Sequence, residues 1–369
     1  MKKLVIASDS FKGTISSKEI SEIYASIAEE NYPDVMIRKV VLGDGGENTL
    51  EVFANNFPQG QYHSLEVTGP NFNRVNAKYY TYDDIAVIEL AEAAGLTLVT
   101  EKDAKKTTTF GVGELILNAY QNGFKKFYIA LGGSATNDGG CGLLSALGIK
   151  FINKNNKEFI PVGGTLSEIV NIDSSGLLVP DAFFTILSDV KNTMYGPKGA
   201  AYVFAKQKGA TEEEIELLDN NLKYLNDTFI KTTGKHVENI EGSGAAGATS
   251  AGILSFLNSE IVSGIDTILK IIDFKSIIKD ADYVITGEGR LDYQSFDGKL
   301  ISGVLKITKE MNIPTICVCG ASRIDPNDKT DFFAVYQTSA EEGLDYKKHA
   351  REFYVTSVKQ LLFDLVNRK

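Results

Sequence analysis

VITGEGRLDYQSFDGK (residues 284–299) begins with a short apolar run, then breaks into glycine mixed with Glu288, Arg290, Asp292, Asp297 and Lys299. A short, continuous apolar run suits a strand buried on both faces, as in a parallel sheet. Packing alone does not explain two cations and three carboxylates on its glycine-rich edge. In open α/β sheets, ligands bind outside the carboxyl ends of the strands. The segment therefore reads as a core strand over 283–286 followed by a loop that belongs to a site.

The same pattern recurs along the chain in LVIAS (4–8), FYIALGG (127–133), FFTILSD (183–189) and TICVCGA (315–321). Helical patterns lie between some of these runs. Ser16 and Glu19 form a capping box ahead of Ile20, Ile23, Tyr24 and Ile27; Thr211 and Glu214 form another ahead of Ile215, Leu218, Leu222, Leu225 and Phe229. Strand alternating with helix predicts an α/β fold. The middle differs. Residues 75–91 read as two strands turning at Asp83-Asp84, and 149–160 as a hairpin turning at Asn155-Asn156. Antiparallel pieces flanked by βα units predict a doubly wound domain, 1–65 plus 275–369, interrupted by an inserted mixed α/β domain, 66–274.

At 369 residues, two or three domains are expected. A net charge of −10 argues against nucleic acid as the partner. The N-terminal apolar run stops at Asp9, too short for a signal peptide, and no stretch of about 20 apolar residues predicts a membrane span. Three cysteines without a framework suit a reducing compartment, so the expected location is cytoplasmic. Cys317 and Cys319 read as core thiols on one face of a strand.

Five glycine-rich segments share one composition: SDSFKGT (8–14), GDGGENT (43–49), GGSATNDGG (132–140), GSGAAGATSAG (242–252) and GEGRLD (287–292). Glycine lets backbone N–H groups approach an anion closely, and a following helix N-terminus favours negative charge. A P-loop is excluded, because Tyr293 stands where its first glycine belongs. Gly242, Gly244 and Gly247 match GxGxxG, but the preceding HVENIE is a poor strand, so tight helix packing or a phosphate loop is preferred to dinucleotide binding. His63, His236 and His349 all lie outside the loops, which argues against a Ser-His-Asp triad or a zinc site. Carboxylates, lysines, an arginine, hydroxyls and backbone amides remain, a set that suits Mg²⁺ and phosphate.

The segments IASDSFKGTIS, GDGGENT, TTTFGVGELI, ALGGSATNDGGCG, DVKNTMYGPKGA, GSGAAGATSAG and ITGEGRLDYQSFDGK together resemble the type I glycerate kinases over essentially the whole chain. There are departures. Ser8 replaces a usual proline, Gly43 and Asn48 replace alanine and glycine, and Lys191-Asn192-Thr193-Met194 departs from a TNPL-like segment. Asn tolerates a left-handed backbone, so the loop at 48 is expected to survive. The resemblance implies two α/β domains, one Rossmann-like or flavodoxin-like, with the active site in the cleft between them. It also implies ATP and Mg²⁺ acting on D-glycerate to give 2-phosphoglycerate, or 3-phosphoglycerate by older naming.

Within that frame, Asp189 at the end of FFTILSD is the expected general base. Asp292 is expected to hold Mg²⁺ or accept the hydroxyl proton, while Arg290 grips an anion. Lys12 and Lys299 supply further charge. Asp9, Ser10, Gly132, Gly133, Ser134, Thr136, Asn137, Asn192, Gly244, Gly247 and Glu288 are expected at substrate or nucleotide, and Asp44, Glu47 and Asp138 at the metal. Glu114 reads as a helix N-terminal residue. The competing functions are a hydroxy-acid dehydrogenase built on 242–247 and an inactive metabolite sensor. The sequence is silent on oligomeric state.

Overall fold

The computed structural model describes residues 2–11, 14–46, 48–296, 299–325, 330–338 and 346–367. Lys12, Glu47 and Asp297 therefore lie outside the described residues. The strands are β1 (Lys2–Ile6), β2 (Val35–Lys39), β3 (Gln61–Thr68), β4 (Arg74–Tyr82), β5 (Ile85–Glu89), β6 (Lys126–Ala130), β7 (Lys150–Asn153), β8 (Glu158–Phe159), β9 (Ile169–Asp173), β10 (Phe183–Leu187), β11 (Asn258–Val262), β12 (Tyr283–Leu291), β13 (Thr315–Ser322) and β14 (Ala334–Gln337). The α-helices are α1 (Ser17–Asn31), α2 (Thr49–Asn56), α3 (Ala91–Ala94), α4 (Phe110–Gln121), α5 (Cys141–Ala146), α6 (Ala200–Phe204), α7 (Glu212–Thr233), α8 (Ala245–Phe256), α9 (Gly264–Ile271), α10 (Phe274–Ile278), α11 (Leu300–Glu310) and α12 (Tyr346–Asn367).

The chain divides into two compact units, one of 1–44 plus 265–369 and the other of 45–264. The boundaries expected near 65 and 275 fall inside β3 and α10. The first moves because β3 pairs along its whole length with β4, which carries the preceding α2 into the second unit. The second moves because α9 packs on α11: a Cβ on Gly303 would come within 2.8 Å of Ile265.

The first unit is a parallel sheet of order β2-β1-β12-β13-β14. Renumbered within the unit, that order is 2-1-3-4-5, the flavodoxin-like doubly wound arrangement. Alternate side chains of a strand serve opposite faces. Leu4, Ile6, Ile285 and Val318 pack with Ile20 and Tyr24 of α1 and Tyr354 and Leu361 of α12. Cys317 and Cys319 pack with Ile301 and Leu305 of α11 in a separate cluster. Both sheet faces are thus covered, as the continuous apolar runs require.

The second unit holds a six-stranded sheet, β11-β10-β6-β5-β4-β3, and a three-stranded antiparallel sheet, β8-β7-β9. The four strands from β11 to β5 are parallel, and β4 and β3 extend the sheet antiparallel. Asp83 and Asn156 carry the two expected hairpin turns with φ of 48° and 56°. The 22-residue α7 starts at a full capping box between Thr211 and Glu214, with three glutamates in its first turn, and stops at Gly234. Its stripe from Ile215 to Phe229 is buried in the core. Gly45 and Gly264, the two ends of this unit, touch: a Cβ on Gly45 would sit 3.3 Å from the Gly264 Cα.

Candidate active site

Each unit carries one cluster of the expected residues. In the first unit it lies where the strand order reverses, between β1 and β12, at their carboxyl ends. The Asp9 N–H donates to the Gly287 carbonyl at 3.0 Å. The Asp9 carboxylate accepts the Ser10 N–H at 2.7 Å. The backbone approach is close enough to need glycine: a Cβ on Gly287 would sit 2.0 Å from the Val318 carbonyl oxygen. A cavity of about 80 Å³ is lined by Asp9, Asp44, Glu288, Lys299, Leu300 and Ile301. At about 30 Å³ per water, that is room for two or three waters or one phosphate-sized group. Lys299 and Leu300 open α11, and a helix N-terminus favours an anion.

One or two of these carboxylates, with phosphate oxygens and water as the other ligands, are the kind of donor set Mg²⁺ takes. Among the described residues, no three His, Cys, Asp or Glu side chains are grouped closely enough to hold a metal unaided.

Arg290 and Asp292 do not line this cavity. Residues 287–291 are not a loop. β12 runs on to Leu291, with Glu288, Arg290 and Leu291 paired to Cys319, Ala321 and Ser322. Its glycines sustain the pairing where the sequence reading took them to end it. Arg290 is exposed and makes no ion pair among the described residues, and Asp292 begins a tight turn with Ser295.

In the second unit, residues 132–140 follow β6 and are held from several sides. Ala135 N–H donates to Ala94 O at 2.9 Å, and Thr107 Oγ1 to Ala135 O at 2.9 Å. Asp138 is the anchor. Its carboxylate accepts the Thr109 N–H and hydroxyl, each at 2.8 Å, the Gly140 N–H at 3.1 Å and the Gly142 N–H at 3.2 Å. Four donors within the protein use its oxygens, so the expectation that Asp138 is a metal ligand is replaced by a structural role. Burial pushes its carboxyl up from the usual range, against the hydrogen bonds that pull it down.

Gly244 and Gly247 are also reassigned. A Cβ on Gly244 would lie 2.1 Å from Thr193 O, and one on Gly247 would lie 2.1 Å from Thr136 O. Gly247 also has φ +65°. Both are buried, and their role is to let the 242–250 turn press on the 132–140 and 192–193 segments. No strand leads into 242–247, so the structural context of a dinucleotide fingerprint is missing and the dehydrogenase reading loses its footing.

Asn192 donates to Lys198 O at 2.9 Å and accepts, through its own carbonyl, the Gly244 N–H. Gly132 and Gly133 are partly exposed, Ser134 and Thr136 share a hydrogen bond of 3.0 Å, and Asn137 is fully buried with neither side-chain polar atom partnered among the described residues. An unpaired buried amide in a native fold asks for an explanation, and a bound water or ligand would be one. One oxygen of Asp189 accepts the Ser263 hydroxyl and the Gly264 N–H, both at 2.9 Å.

Asn48 has φ 66°, the left-handed backbone its residue type tolerates. Glu114 is structural as read, accepting the Thr68 N–H and pairing with Arg74. Two residues escaped the sequence reading. Glu89 is buried and accepts the Asn48 N–H at 2.9 Å and the Leu50 N–H at 3.1 Å, serving the start of α2 in place of a side-chain cap. A lone carboxylate in the apolar strand IAVIE was its signal. Lys208 is buried against the 132–140 loop. Nothing in FAKQKGA separates it from the exposed Lys206.

The glycerate kinase family profile matches residues 4–354. The chain is 40% identical over 341 residues to a glycerate kinase of Bacillus subtilis (strain 168), covering 91% of this chain and 87% of that one. It is 39% identical to the glycerate 2-kinase of Escherichia coli (strain K12), covering 86% and 85%. A solved structure assigned as a glycerate kinase 2 of Salmonella typhimurium LT2 superposes with a TM-score of 0.84 at 35% identity, covering 99% of this chain and 98% of that one. The fold and these matches define an α/β kinase. The chain belongs to the glycerate kinase family.

Proposed function

We propose that the protein transfers the γ-phosphoryl group of ATP to the 2-hydroxyl of D-glycerate, giving 2-phosphoglycerate. The observation that carries this reading is the polar cavity at the strand-order switch of the first unit, lined by Asp9, Asp44, Glu288 and Lys299. Phosphoryl transfer needs positioning and charge neutralisation more than covalent chemistry, and this set supplies both. The name of the Escherichia coli relative supports the 2-position.

Asp44, with Asp9 or Glu288, would hold Mg²⁺, which neutralises charge on the phosphates when bound. Lys299 and the N-terminus of α11 stabilise phosphoryl oxygens. Asp189 orients the acceptor hydroxyl, its carboxylate steadied by Ser263 and Gly264. Gly132, Gly133, Ser134, Thr136 and Asn137 bind an anionic group of nucleotide or acceptor. The roles proposed for Arg290, gripping an anion, and Asp292, holding Mg²⁺ or accepting the hydroxyl proton, fall on residues that do not line this cavity. The partners are a small acid and a nucleotide, and the location is the cytoplasm, a reading supported by three cysteines that are free buried thiols. Among the described residues, no helix is long and apolar enough to cross a membrane.

The test is ADP release from MgATP with D-glycerate, L-glycerate or no acceptor, followed by ³¹P NMR. A product phosphorus coupled to one proton supports the 2-position, and coupling to two protons gives 3-phosphoglycerate. No ADP above the acceptor-free control refutes the assignment.

A further inference from the structure

Lys208 is 2% exposed. Its ammonium donates to the Thr136 carbonyl at 2.6 Å and to Ser134 Oγ at 3.4 Å, and it forms no ion pair among the described residues. The carboxylate that influences it is Asp138, whose oxygens already serve four other donors. A buried, unpaired ammonium is an expensive way to fill a core, and methionine would pack there at less cost. Its position beneath a glycine-rich loop suggests what it is for.

We propose that Lys208 is a positioning residue for anion binding by the 132–137 loop, an inference that rests on the kinase reading. Below pH 7 Lys208 is an ammonium, with three donors and no acceptor. Ser134 Oγ accepts from Lys208 and from the Thr136 N–H, which occupies both its lone pairs. Its own proton has two acceptors in reach, the Thr136 carbonyl at 3.5 Å and Thr136 Oγ1 at 3.0 Å; the shorter contact takes it, and the Thr136 hydroxyl is left to donate onward. A chain begun by a donor-only group ends in a donor. With Gly132 and Gly133 partly exposed beside it, the loop is polarised toward an anionic oxygen, whether of a nucleotide phosphate or of the acceptor's carboxylate. Burial lowers the Lys208 pKa to about 7, as expected of a charge held without a counter-ion.

The experiment compares wild type, Lys208→Met and Ser134→Ala in steady-state kinetics, with calorimetric titration of ATP and of D-glycerate. KM for one of the two substrates should rise at least ~10-fold in both variants while kcat changes less. A rise for MgATP assigns the loop to phosphate, and one for D-glycerate assigns it to carboxylate. Ser134→Ala breaks the relay but keeps the lysine and its shorter bond to the Thr136 carbonyl, so it decides the matter if Lys208→Met fails to fold. Both KM values within about twofold of wild type, or a loss confined to kcat, overturn the proposal. If wild type turns over no glycerate, the kinase reading fails alone: the titrations still decide, and equal affinities in wild type and variants overturn the role of Lys208.

Discussion

Replacing Lys208 by methionine should make the protein more stable at pH 6 and leave it nearly unchanged at pH 9. In the unfolded chain the lysine keeps its proton up to about 10.5, whereas in the fold it loses it near 7. Between those values the unfolded state binds more protons, so this group makes stability rise with pH. Below pH 7 the full cost of burying the charge is present, about 5 kcal/mol for a fall from 10.5 to about 7. At pH 9 about 2 kcal/mol of it remains. Methionine removes that cost but leaves the Thr136 carbonyl only the long 3.5 Å contact from Ser134 Oγ, at a cost of about 1–3 kcal/mol. The net gain is about 2–4 kcal/mol at pH 6 and near zero at pH 9. Urea denaturation of wild type and variant at the two pH values measures it. A variant less stable than wild type at pH 6, or a difference independent of pH, refutes the reasoning.

Two further outcomes are expected. Asp189→Asn should lower kcat by at least ~10² with the thermal melt unchanged, the lower end of a general-base effect, and turnover within threefold of wild type would remove it from the mechanism. Gly247→Ala combines a φ of +65° with a Cβ 2.1 Å from Thr136 O, so the turn must shift; a loss of at least ~2 kcal/mol in denaturation is expected, and a neutral result would show that the contact relaxes freely.

The fold was largely legible because parallel strands buried on both faces leave continuous apolar runs, and all five quoted runs coincide with strands. The turns at Asp83 and Asn156 were legible from local chemistry. The extent of β12 was not. Glycine between charged residues looks like a loop in one dimension, and only the neighbouring strand shows that it stays paired through Leu291. In the cavity lining, Asp9, Asp44, Glu288 and Lys299 were legible as charges in glycine-rich segments that follow apolar runs. Asp138 sits in the same kind of loop, yet its oxygens are spent on N–H groups from residues 109, 140 and 142. Lys208 reveals itself only through burial, which no local pattern encodes.

The register of β1 on β12 sets an order of events in synthesis. Leu4 pairs with Tyr283, and Ser8 bonds a carbonyl 279 residues further along. At about 5–20 residues per second, a ribosome takes roughly a quarter of a minute to a minute to cover that distance. The first two strands of the flavodoxin-like sheet are made early and must wait for their central neighbour. The strands of the inserted unit, by contrast, find all their partners between Gln61 and Val262. The nascent chain therefore carries an unpaired strand edge through most of its translation, and that edge is where a chaperone or an aggregate would first take hold.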